Sequence, residues 1–385
     1  MKICGIICEF NPFHNGHEYL LNEARRLSGC DKIVCLMSGN FTQRGDICVI
    51  DKRLRAKHAV VCGADCVLEL PAAFSIAPAE IFASGAIKIL SSIPEIDTLA
   101  FGSESGNAED FLEAAKLLSD ESEVFKTALK NKLAEGESYI KSYAFAFEAV
   151  GGNAELLSKP NSTLGVEYAK AVLRTNKNVK LLPIKRVGAD FGDGELKGNF
   201  SSASAIRKNL NSPLINDNVP DCVLGDLKDF SAETERYNRI LRLILSRTSA
   251  EDLAEIYGCG DGLENALKSL QYLPPNEIVG AATSKRFASS RIKRILCANF
   301  LGLHQSDGEK FLRSDLYLSP LAVKRYGADE MMSALAKSAY PVLTCGSDGK
   351  KLCEIAAKCK QKDDFSYLQW LQITDEQPIN KLLLV

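Results

Sequence analysis

The stretch that decides the fold is Glu9-Phe10-Asn11-Pro12-Phe13-His14-Asn15-Gly16-His17, close to the start of the chain. It follows a continuous apolar run over residues 2–8, which is typical of a parallel strand buried on both faces. It leads into residues 16–27, whose apolar positions have helical spacing. A loop between a buried strand and a helix directs free backbone N–H groups and the positive end of the helix dipole towards one point. The stretch is therefore an expected anion site.

Two of the four histidines in the chain, His14 and His17, flank Gly16 in this loop. Gly16 lets the backbone approach a phosphate closely. Both imidazoles can donate to phosphate oxygens and stabilise the charge that develops there during reaction. The plainer interpretation, two surface histidines near a helix start, is less favoured at this junction. A zinc site would need a third ligand nearby, which the sequence lacks, so we predict catalytic histidines and no metal site.

Strand and helix patterns alternate through the first half of the chain. This rhythm predicts an α/β, Rossmann-like domain with a parallel sheet over residues 1–215. Pro213 and Pro220 bracket a polar stretch that we interpret as the boundary. Residues 216–385 are predicted to form a mainly α-helical domain. The predicted strands are 2–8, 32–37, 66–70, 98–101 and 179–186, and the predicted helices are 16–27, 51–62, 78–89, 108–118, 201–210, 232–246, 250–257, 262–270 and 276–300. Residues from about 120 to 175 are also predicted to be helical, with 164–173 amphipathic.

The composition is that of an ordinary soluble protein, with 46% hydrophobic and 25% charged residues among 385. The net charge of -2 gives no global sign of nucleic-acid binding and does not exclude a local basic surface. The 13 cysteines are scattered without a CxxC pair, which indicates reduced thiols and a cytoplasmic protein. No apolar run approaches membrane-spanning length, and no feature indicates an obligate protein partner.

The histidine stretch resembles the GxFxPxHxGH signature of the nucleotidyltransferase superfamily. Members of that superfamily attack the α-phosphate of a nucleoside triphosphate and release pyrophosphate. A later segment, Ser202-Ala203-Ser204-Ala205-Ile206-Arg207, resembles the SSTxIR motif of the same superfamily, with Ala203 in place of its second serine. Serine hydroxyls and free N–H groups at a helix start would hold the β- and γ-phosphates, and Arg207 would add a permanent positive charge.

Several further polar segments extend this similarity. Together the first half resembles the bacterial tRNA(Met) cytidine acetate ligase family, closely over residues 1–210 and loosely beyond. Members of that family use ATP to convert acetate into acetyl-adenylate, and then transfer the acetyl group to N4 of the wobble cytidine of elongator tRNA(Met). The segments are Ser38–Asp46, Asp51–Arg53, Leu68–Pro71, Phe101–Glu104 and Lys159–Tyr168.

The resemblance implies an ATP-binding set, with Mg²⁺ expected to arrive with ATP. Arg186, at the end of a predicted strand, would without the resemblance be interpreted as a solvated arginine. The full set is Ile7, Cys8, Glu9, Phe10, Asn11, Pro12, Phe13, His14, Asn15, Gly16, His17, Glu18, Tyr19, Leu20, Gly102, Asn161, Arg186, Ser202, Ser204 and Arg207.

Transfer to a tRNA base requires a basic surface beside the nucleotide site, because the cytidine must be splayed out of its loop to be reached. The best candidate is residues 283–296, predicted as one amphipathic helix. A solvated charged face is the usual explanation for such a run, and the family's action on tRNA favours RNA contact. Its cations are Lys285, Arg286, Arg291, Lys293 and Arg294. A weaker candidate is the basic group Lys52, Arg53, Arg55 and Lys57.

Two other interpretations stay open. One is a nucleotidyltransferase that adenylylates a phosphorylated small metabolite, although such enzymes usually end near the nucleotide domain. The other is a non-catalytic RNA-binding protein with a vestigial nucleotide fold, which would not need both histidines. The extra residues 216–385 favour a macromolecular acceptor, and so a tRNA-binding role for the second domain.

Overall fold

The computed structural model describes residues 1–175, 177–187, 194–196 and 198–385. In these ranges one seven-stranded sheet runs through the molecule in the order β5-β4-β1-β2-β3-β6-β7. Strands β1 to β5 are parallel to one another, β6 is antiparallel to β3, and β7 is parallel to β6. The strands are β1 (Ile3–Cys8), β2 (Lys32–Ser38), β3 (Cys66–Leu70), β4 (Ile96–Ser103), β5 (Lys180–Lys185), β6 (Pro320–Val323) and β7 (Leu383–Leu384).

Helices surround this sheet and make up most of the second half. The α-helices are α1 (Asn15–Ser28), α2 (Lys52–Val61), α3 (Ala72–Ser75), α4 (Ala79–Ser91), α5 (Ala108–Ser119), α6 (Glu123–Ala134), α7 (Tyr139–Ala149), α8 (Glu155–Ser158), α9 (Pro160–Leu173), α10 (Ala203–Lys208), α11 (Asp221–Leu224), α12 (Ser231–Arg247), α13 (Ala250–Ala254), α14 (Leu263–Ser269), α15 (Pro275–Ala282), α16 (Ser289–Leu301), α17 (Gln305–Arg313), α18 (Ala328–Ala336) and α19 (Glu354–Thr374). Two 3₁₀ helices cover Pro213–Asp217 and Gly346–Lys351.

The central strands are apolar because they are covered on both faces. Every residue of β1 and β3 is buried, as the continuous apolar runs predicted. From β1 the chain order runs in one direction through β2 and β3, and in the other through β4 and β5. A crevice therefore opens at the carboxyl ends of β1 and β4, where ligands bind in open α/β sheets. The α/β, Rossmann-like prediction is confirmed, and its topology places the histidine loop at this crevice.

The second half is mainly helical, as predicted, but it also contributes strands. β6 pairs antiparallel with β3, and β7 continues the sheet beyond it. Buried apolar residues from both sides of position 215 belong to one continuous core. The division into domains 1–215 and 216–385 stays a prediction, and the two ranges share a sheet.

The predicted helix over 276–300 is wrong as one continuous element. The structure has two helices there, α15 and α16, separated by residues 283–288. The Ser284 N–H donates to the Phe287 carbonyl at 3.0 Å, and the Thr283 hydroxyl donates to the Val279 carbonyl, so local turn bonds replace the helical ladder. Lys285 and Arg286 therefore lie in a turn before α16 rather than on a helix face.

Candidate active site

His14 is the N-cap of α1 and is fixed by a backbone bond. Its Nδ1 accepts from the Gly16 N–H at 3.0 Å. A neutral imidazole that accepts at Nδ1 carries its proton on Nε2, and within the described residues that nitrogen has no hydrogen-bond partner. The ring is 4% exposed and lines the large cavity described below. His14 can therefore donate from Nε2 to a ligand in that cavity.

His17 packs directly against His14. The two imidazole rings stack with their centroids 3.7 Å apart. The rings of Phe10 and Phe13 also contact His17, with centroid distances of 4.8 and 5.6 Å. Its Nδ1 is buried and has no partner in the part of the chain that the structure describes. A buried polar atom without a partner is costly, which is typical of a site that a ligand completes.

Both histidines are neutral at physiological pH. Burial, followed by the nearby charges of Arg186 and Arg207, lowers the pKa of His14 to about 3. Burial, followed by His14 and Arg186, holds the pKa of His17 well below its ordinary value. The pair can therefore donate hydrogen bonds to phosphate oxygens without itself carrying charge.

Gly16 is required by the close approach of the His14 ring. A Cβ at this position would lie 2.9 Å from His14 Cε1 and 3.1 Å from Nδ1. Any larger residue would push the imidazole away from the helix start. The glycine that the sequence motif places between the histidines thus sets the position of the first one.

A buried arginine joins the histidine loop to the loop after β2. Arg55 is 0% exposed and donates to the carbonyls of Glu9, Ser38, Gly39 and Ile50. Because its guanidinium is fully used inside the protein, Arg55 cannot contact RNA. The same holds for Lys52, which is buried and pairs with Glu69 at 2.5 Å. The weaker sequence-based RNA candidate is therefore wrong for these two residues, whereas Lys57 is exposed.

Side chains of the histidine stretch reinforce the same connection between loops. The Glu9 carboxylate accepts from the Gln43 N–H at 2.6 Å, and Asn11 Oδ1 accepts from the Val49 N–H at 2.9 Å. Phe41 and Gly45 lie in the same loop after β2. The polar segment Ser38–Asp46 is thereby joined through Gln43 to the histidine stretch that follows β1.

The late serine motif lies against the histidine stretch. Ser202 is the N-cap of α10 and accepts from the Ala205 N–H at 3.1 Å, while Arg207 Nη1 donates to the Asn11 carbonyl at 2.6 Å. Asn218, which lies in the polar stretch interpreted as the domain boundary, closes this side of the site. Its carbonyl accepts from the Asn15 N–H at 3.1 Å and its Oδ1 accepts from the Ser201 N–H at 2.9 Å.

The ends of β4 and β5 bring the remaining nucleotide candidates together. The Arg186 N–H donates to the Ser103 carbonyl at 3.0 Å, and the Arg186 side chain lies over Gly102. Asn161 Nδ2 donates to Glu104 Oε1 at 2.9 Å, so a carboxylate orients this amide. Glu104 also accepts from the Ser162 N–H and hydroxyl, and so it caps the start of α9 in place of the Lys159 side chain.

One cavity of about 1740 Å³ connects these groups. It is lined by most of the predicted ATP-binding residues, including Gly102, Asn161, Arg186 and the late serine motif. Within the predicted set, Pro12, Phe13, Asn15 and Glu18 lie outside the lining. They belong to the scaffold of the histidine loop.

Helices of the second half form the opposite wall of the cavity. Lys293 and Arg294 of α16 line it, whereas Lys285, Arg286 and Arg291 do not. Arg291 donates to the Gly258 carbonyl and pairs with Asp261 at 3.0 Å, so it is engaged within the protein. Only part of the predicted basic set therefore faces the nucleotide candidates.

Lys293 and Arg294 differ in their surroundings. Lys293 pairs with Asp46 at 2.9 Å, and a Cβ on Gly45 would lie 2.6 Å from the Lys293 carbonyl oxygen. The loop after β2 thus packs closely on the α16 backbone. Arg294 is half-buried, and burial followed by the charge of Arg291 lowers its pKa to about 10. Within the described ranges its guanidinium has no carboxylate partner, so it is an available anion-binding group.

Neither a cluster of metal-binding side chains nor a membrane-spanning helix occurs among the residues that the structure describes. His, Cys, Asp and Glu side chains in these ranges do not gather in groups of three or more that could hold a metal ion. No helix in the same ranges combines the length and apolar character that crossing a lipid bilayer requires.

Comparison with known proteins places the chain in a family. The family described as HIGH Nucleotidyl Transferase matches residues 1–378. The tRNA(Met) cytidine acetate ligase of Acetivibrio thermocellus is 34% identical over 381 residues, covering 94% of this chain and 92% of that protein. The protein of the same name from Clostridium tetani is 36% identical over 364 residues, covering 89% of this chain and 90% of that protein.

Solved structures agree with the sequence relatives. The apo structure of Thermotoga maritima TmcAL matches with a TM-score of 0.92 and 28% identity, covering 100% of both chains. The structure of the same protein bound with alpha-thio ATP matches with a TM-score of 0.87 and 28% identity, covering 97% of this chain and 95% of that chain. The chain therefore belongs to the HIGH nucleotidyl transferase family and, within it, to the tRNA(Met) cytidine acetate ligases.

Proposed function

We propose that this protein is an ATP-dependent acetate ligase acting on tRNA. It converts acetate and ATP into acetyl-adenylate and pyrophosphate. It then transfers the acetyl group to N4 of the wobble cytidine of elongator tRNA(Met), which gives N4-acetylcytidine and AMP. The names of the relatives and the ATP analogue bound to the Thermotoga maritima protein support this proposal.

The observation that carries the proposal is one cavity shared by two kinds of group. The histidine loop lines one side, and Lys293 and Arg294 of α16 line the other. Small-molecule pockets typically measure about 300–1,000 Å³. A cavity of about 1740 Å³ leaves room for an acceptor beside the nucleotide. This favours a macromolecular acceptor over a small phosphorylated metabolite.

In the first step a carboxylate oxygen of acetate attacks the α-phosphorus and pyrophosphate leaves. No covalent enzyme intermediate is needed, so catalysis is positioning and charge stabilisation. His14 and His17 would donate to the phosphates, while Ser202, Ser204 and Arg207 would hold the departing pyrophosphate. Gly102, Asn161 and Arg186 would contact the rest of the nucleotide. Mg²⁺ would enter as part of the ATP substrate, held by phosphates and water.

In the second step the exocyclic amine of cytidine attacks the acetyl carbonyl. An anticodon-loop base can be splayed into the cavity, whereas a base paired in a duplex cannot reach it. Lys293 and Arg294 would bind phosphates beside that base, and the exposed Lys285 and Arg286 would extend the contact outwards. A reaction on tRNA with ATP, in a chain whose cysteines are all unpaired, agrees with a cytoplasmic location.

The test is incubation of the protein with ATP, labelled acetate and bulk tRNA. Label in RNA that depends on ATP, acetate and enzyme is the expected result. Pyrophosphate release that depends on a phosphorylated small acceptor would instead favour the metabolite enzyme. The His14→Ala variant should lose acetate-dependent pyrophosphate exchange while still binding tRNA. Loss of tRNA binding with normal exchange would contradict the role given to His14.

A further inference from the structure

Four carboxylates line the cavity within the described residues, and three of them are either bound to another group or largely exposed to solvent. Asp46 pairs with Lys293 at 2.9 Å. Asp229 accepts from the Ser231 N–H at 3.0 Å at the start of α12. Glu235 is 72% exposed on its side chain and lies 3.8 Å from Arg239 of the same helix. The fourth, Glu9, is the residue that follows β1.

One carboxylate oxygen of Glu9 is hydrogen-bonded within the protein, and the other can bind a ligand in the cavity. Its Oε1 accepts from the Gln43 N–H at 2.6 Å, which fixes the carboxylate beside the loop after β2. Its backbone carbonyl is bound by Arg55. In the described ranges no lysine or arginine lies within ion-pairing distance of the carboxylate, and Oε2 has no hydrogen-bond partner. The side chain is only partly exposed, and the cavity is where it can meet a ligand.

We propose that Glu9 binds the N4 amino group of the acceptor cytidine through Oε2 and takes one proton from it during acetyl transfer. This inference rests on the proposed function. Carboxylates of Glu and Asp accept hydrogen bonds from cytosine N4, so one side chain would both recognise and activate the acceptor. The resemblance placed Glu9 only in the ATP-binding loop, and the proposal adds the second substrate.

The step balances without any further reactant. The cytidine N4 lone pair forms a C–N bond to the acetyl carbonyl carbon, and the bond from that carbon to the adenylate oxygen breaks. AMP leaves with the bonding pair as a phosphate anion. The surplus N4 proton passes to the Glu9 carboxylate, which returns it to solvent after AMP and the tRNA depart.

Other groups near the motif are poorer proton acceptors. Nδ1 of His14 is already occupied by the Gly16 N–H, and burial lowers the pKa of that imidazole to about 3. Burial raises the pKa of Glu9 above its ordinary value, although the Gln43 N–H and the nearby Arg207 and Arg44 act in the opposite direction. A carboxylate with a raised pKa is a stronger base than an ordinary one.

The experiment compares acetyl transfer with adenylation in the Glu9→Gln variant of the full chain. Transfer is measured with chemically prepared acetyl-adenylate and tRNA, and adenylation as acetate-dependent exchange of labelled pyrophosphate into ATP. The amide oxygen of Gln can still accept from the Gln43 N–H but cannot take a proton. We expect the ratio of transfer rate to exchange rate to fall about 100-fold or more. Glu235→Gln, the same change at an exposed cavity carboxylate, should leave the ratio at the wild-type value.

The wild-type pH profile gives a second measurement if the variant fails to fold. The transfer rate should fall as the pH drops through the raised pKa of Glu9, because the base form is lost. A transfer rate that stays flat through the acid range would overturn the proposal, as would an equal loss of both reactions in Glu9→Gln. Wild-type protein without acetate-dependent exchange would instead refute the proposed function, a result distinct from either of these.

Discussion

Replacing Gly16 with alanine tests whether the position of the His14 ring controls adenylation. The added Cβ would lie 2.9 Å from His14 Cε1, whereas ordinary contacts begin at 3.4 Å, so the ring must retreat by about 0.5 Å. The Gly16 N–H bond to Nδ1 would lengthen with it. The perturbation is therefore aimed at the His14 ring.

The expected loss of activity follows from the cost of misplacing a donor. A displacement of about 1 Å can cost about 100-fold in rate, and removal of a whole transition-state donor costs about 100- to 1,000-fold. A retreat of about 0.5 Å should thus lower adenylation by at least about tenfold, or about 1.4 kcal/mol in the barrier. The weakened N-cap should lower the unfolding free energy by about 1 kcal/mol, whereas alanine in place of glycine inside a helix should raise it by about 0.5–1 kcal/mol. Stability should therefore change by less than about 1 kcal/mol.

Acetate-dependent pyrophosphate exchange measures the loss, and thermal unfolding measures stability. Gly280→Ala in α15 is the matched control, because nothing lies within 4 Å of a Cβ there. That variant should keep full exchange. Normal exchange in Gly16→Ala would refute the reasoning, since the His14 ring would then tolerate the displacement. A large drop in unfolding temperature would also refute it, because the effect would belong to folding.

Three further predictions concern charge. The pKa of His14 is about 3 in the folded protein and about 6.5 for a free imidazole, so the unfolded chain binds a proton first as the pH falls. The unfolding free energy should therefore decrease as the pH falls from 6.5 to 3, by up to about 1.4 kcal/mol per pH unit. Urea titrations would measure this dependence, and it should be weaker in the His14→Ala variant. Arg55→Ala would leave buried carbonyls without a hydrogen-bond donor, so it should lower the unfolding free energy by at least about 3 kcal/mol. A stable variant with weakened RNA binding would contradict this. Arg294→Ala should weaken tRNA binding. It should also reduce the slope of log K for tRNA binding against log salt concentration by about 0.7–0.9, which filter binding would measure. An unchanged slope would exclude a contact between Arg294 and a phosphate.

The first half of the fold could be predicted because its signals are local. Continuous apolar runs marked β1 to β3 within about one residue, and helical spacing marked α1, α2 and α4 within about two. The strand-loop-helix junction at the histidines indicated where the candidate site lies. Parallel strands that bury both faces leave few other interpretations, so the α/β class with a parallel sheet followed from the alternation itself.

The contacts that complete the site could not be predicted, because their partners lie far apart along the chain. β6 has only four residues, too few for a recognisable strand pattern of apolar and polar side chains, yet it extends the sheet from β3. Arg55 was a candidate for RNA contact within a basic group and is instead buried, with its guanidinium bound to backbone carbonyls. Asn218 lies in the polar stretch interpreted as a domain boundary and instead binds Asn15 of the histidine loop. Whether such a side chain lies at the surface or in the interior depends on tertiary contacts, which the spacing of residues in the sequence does not reveal.

The loop after β2 explains why the two halves of the chain act as one site. From the second half, the Tyr237 hydroxyl donates to the Gly45 carbonyl at 3.0 Å, and the Trp370 indole N–H donates to the Cys48 carbonyl at 3.0 Å. From the first half, Glu9 holds the Gln43 N–H of the same loop. Because this loop contacts Glu9 of the histidine stretch and Lys293 of α16 together, its packing links the nucleotide groups to the basic wall. An acetyl-adenylate made at the histidine loop would therefore face the wall where we place the tRNA.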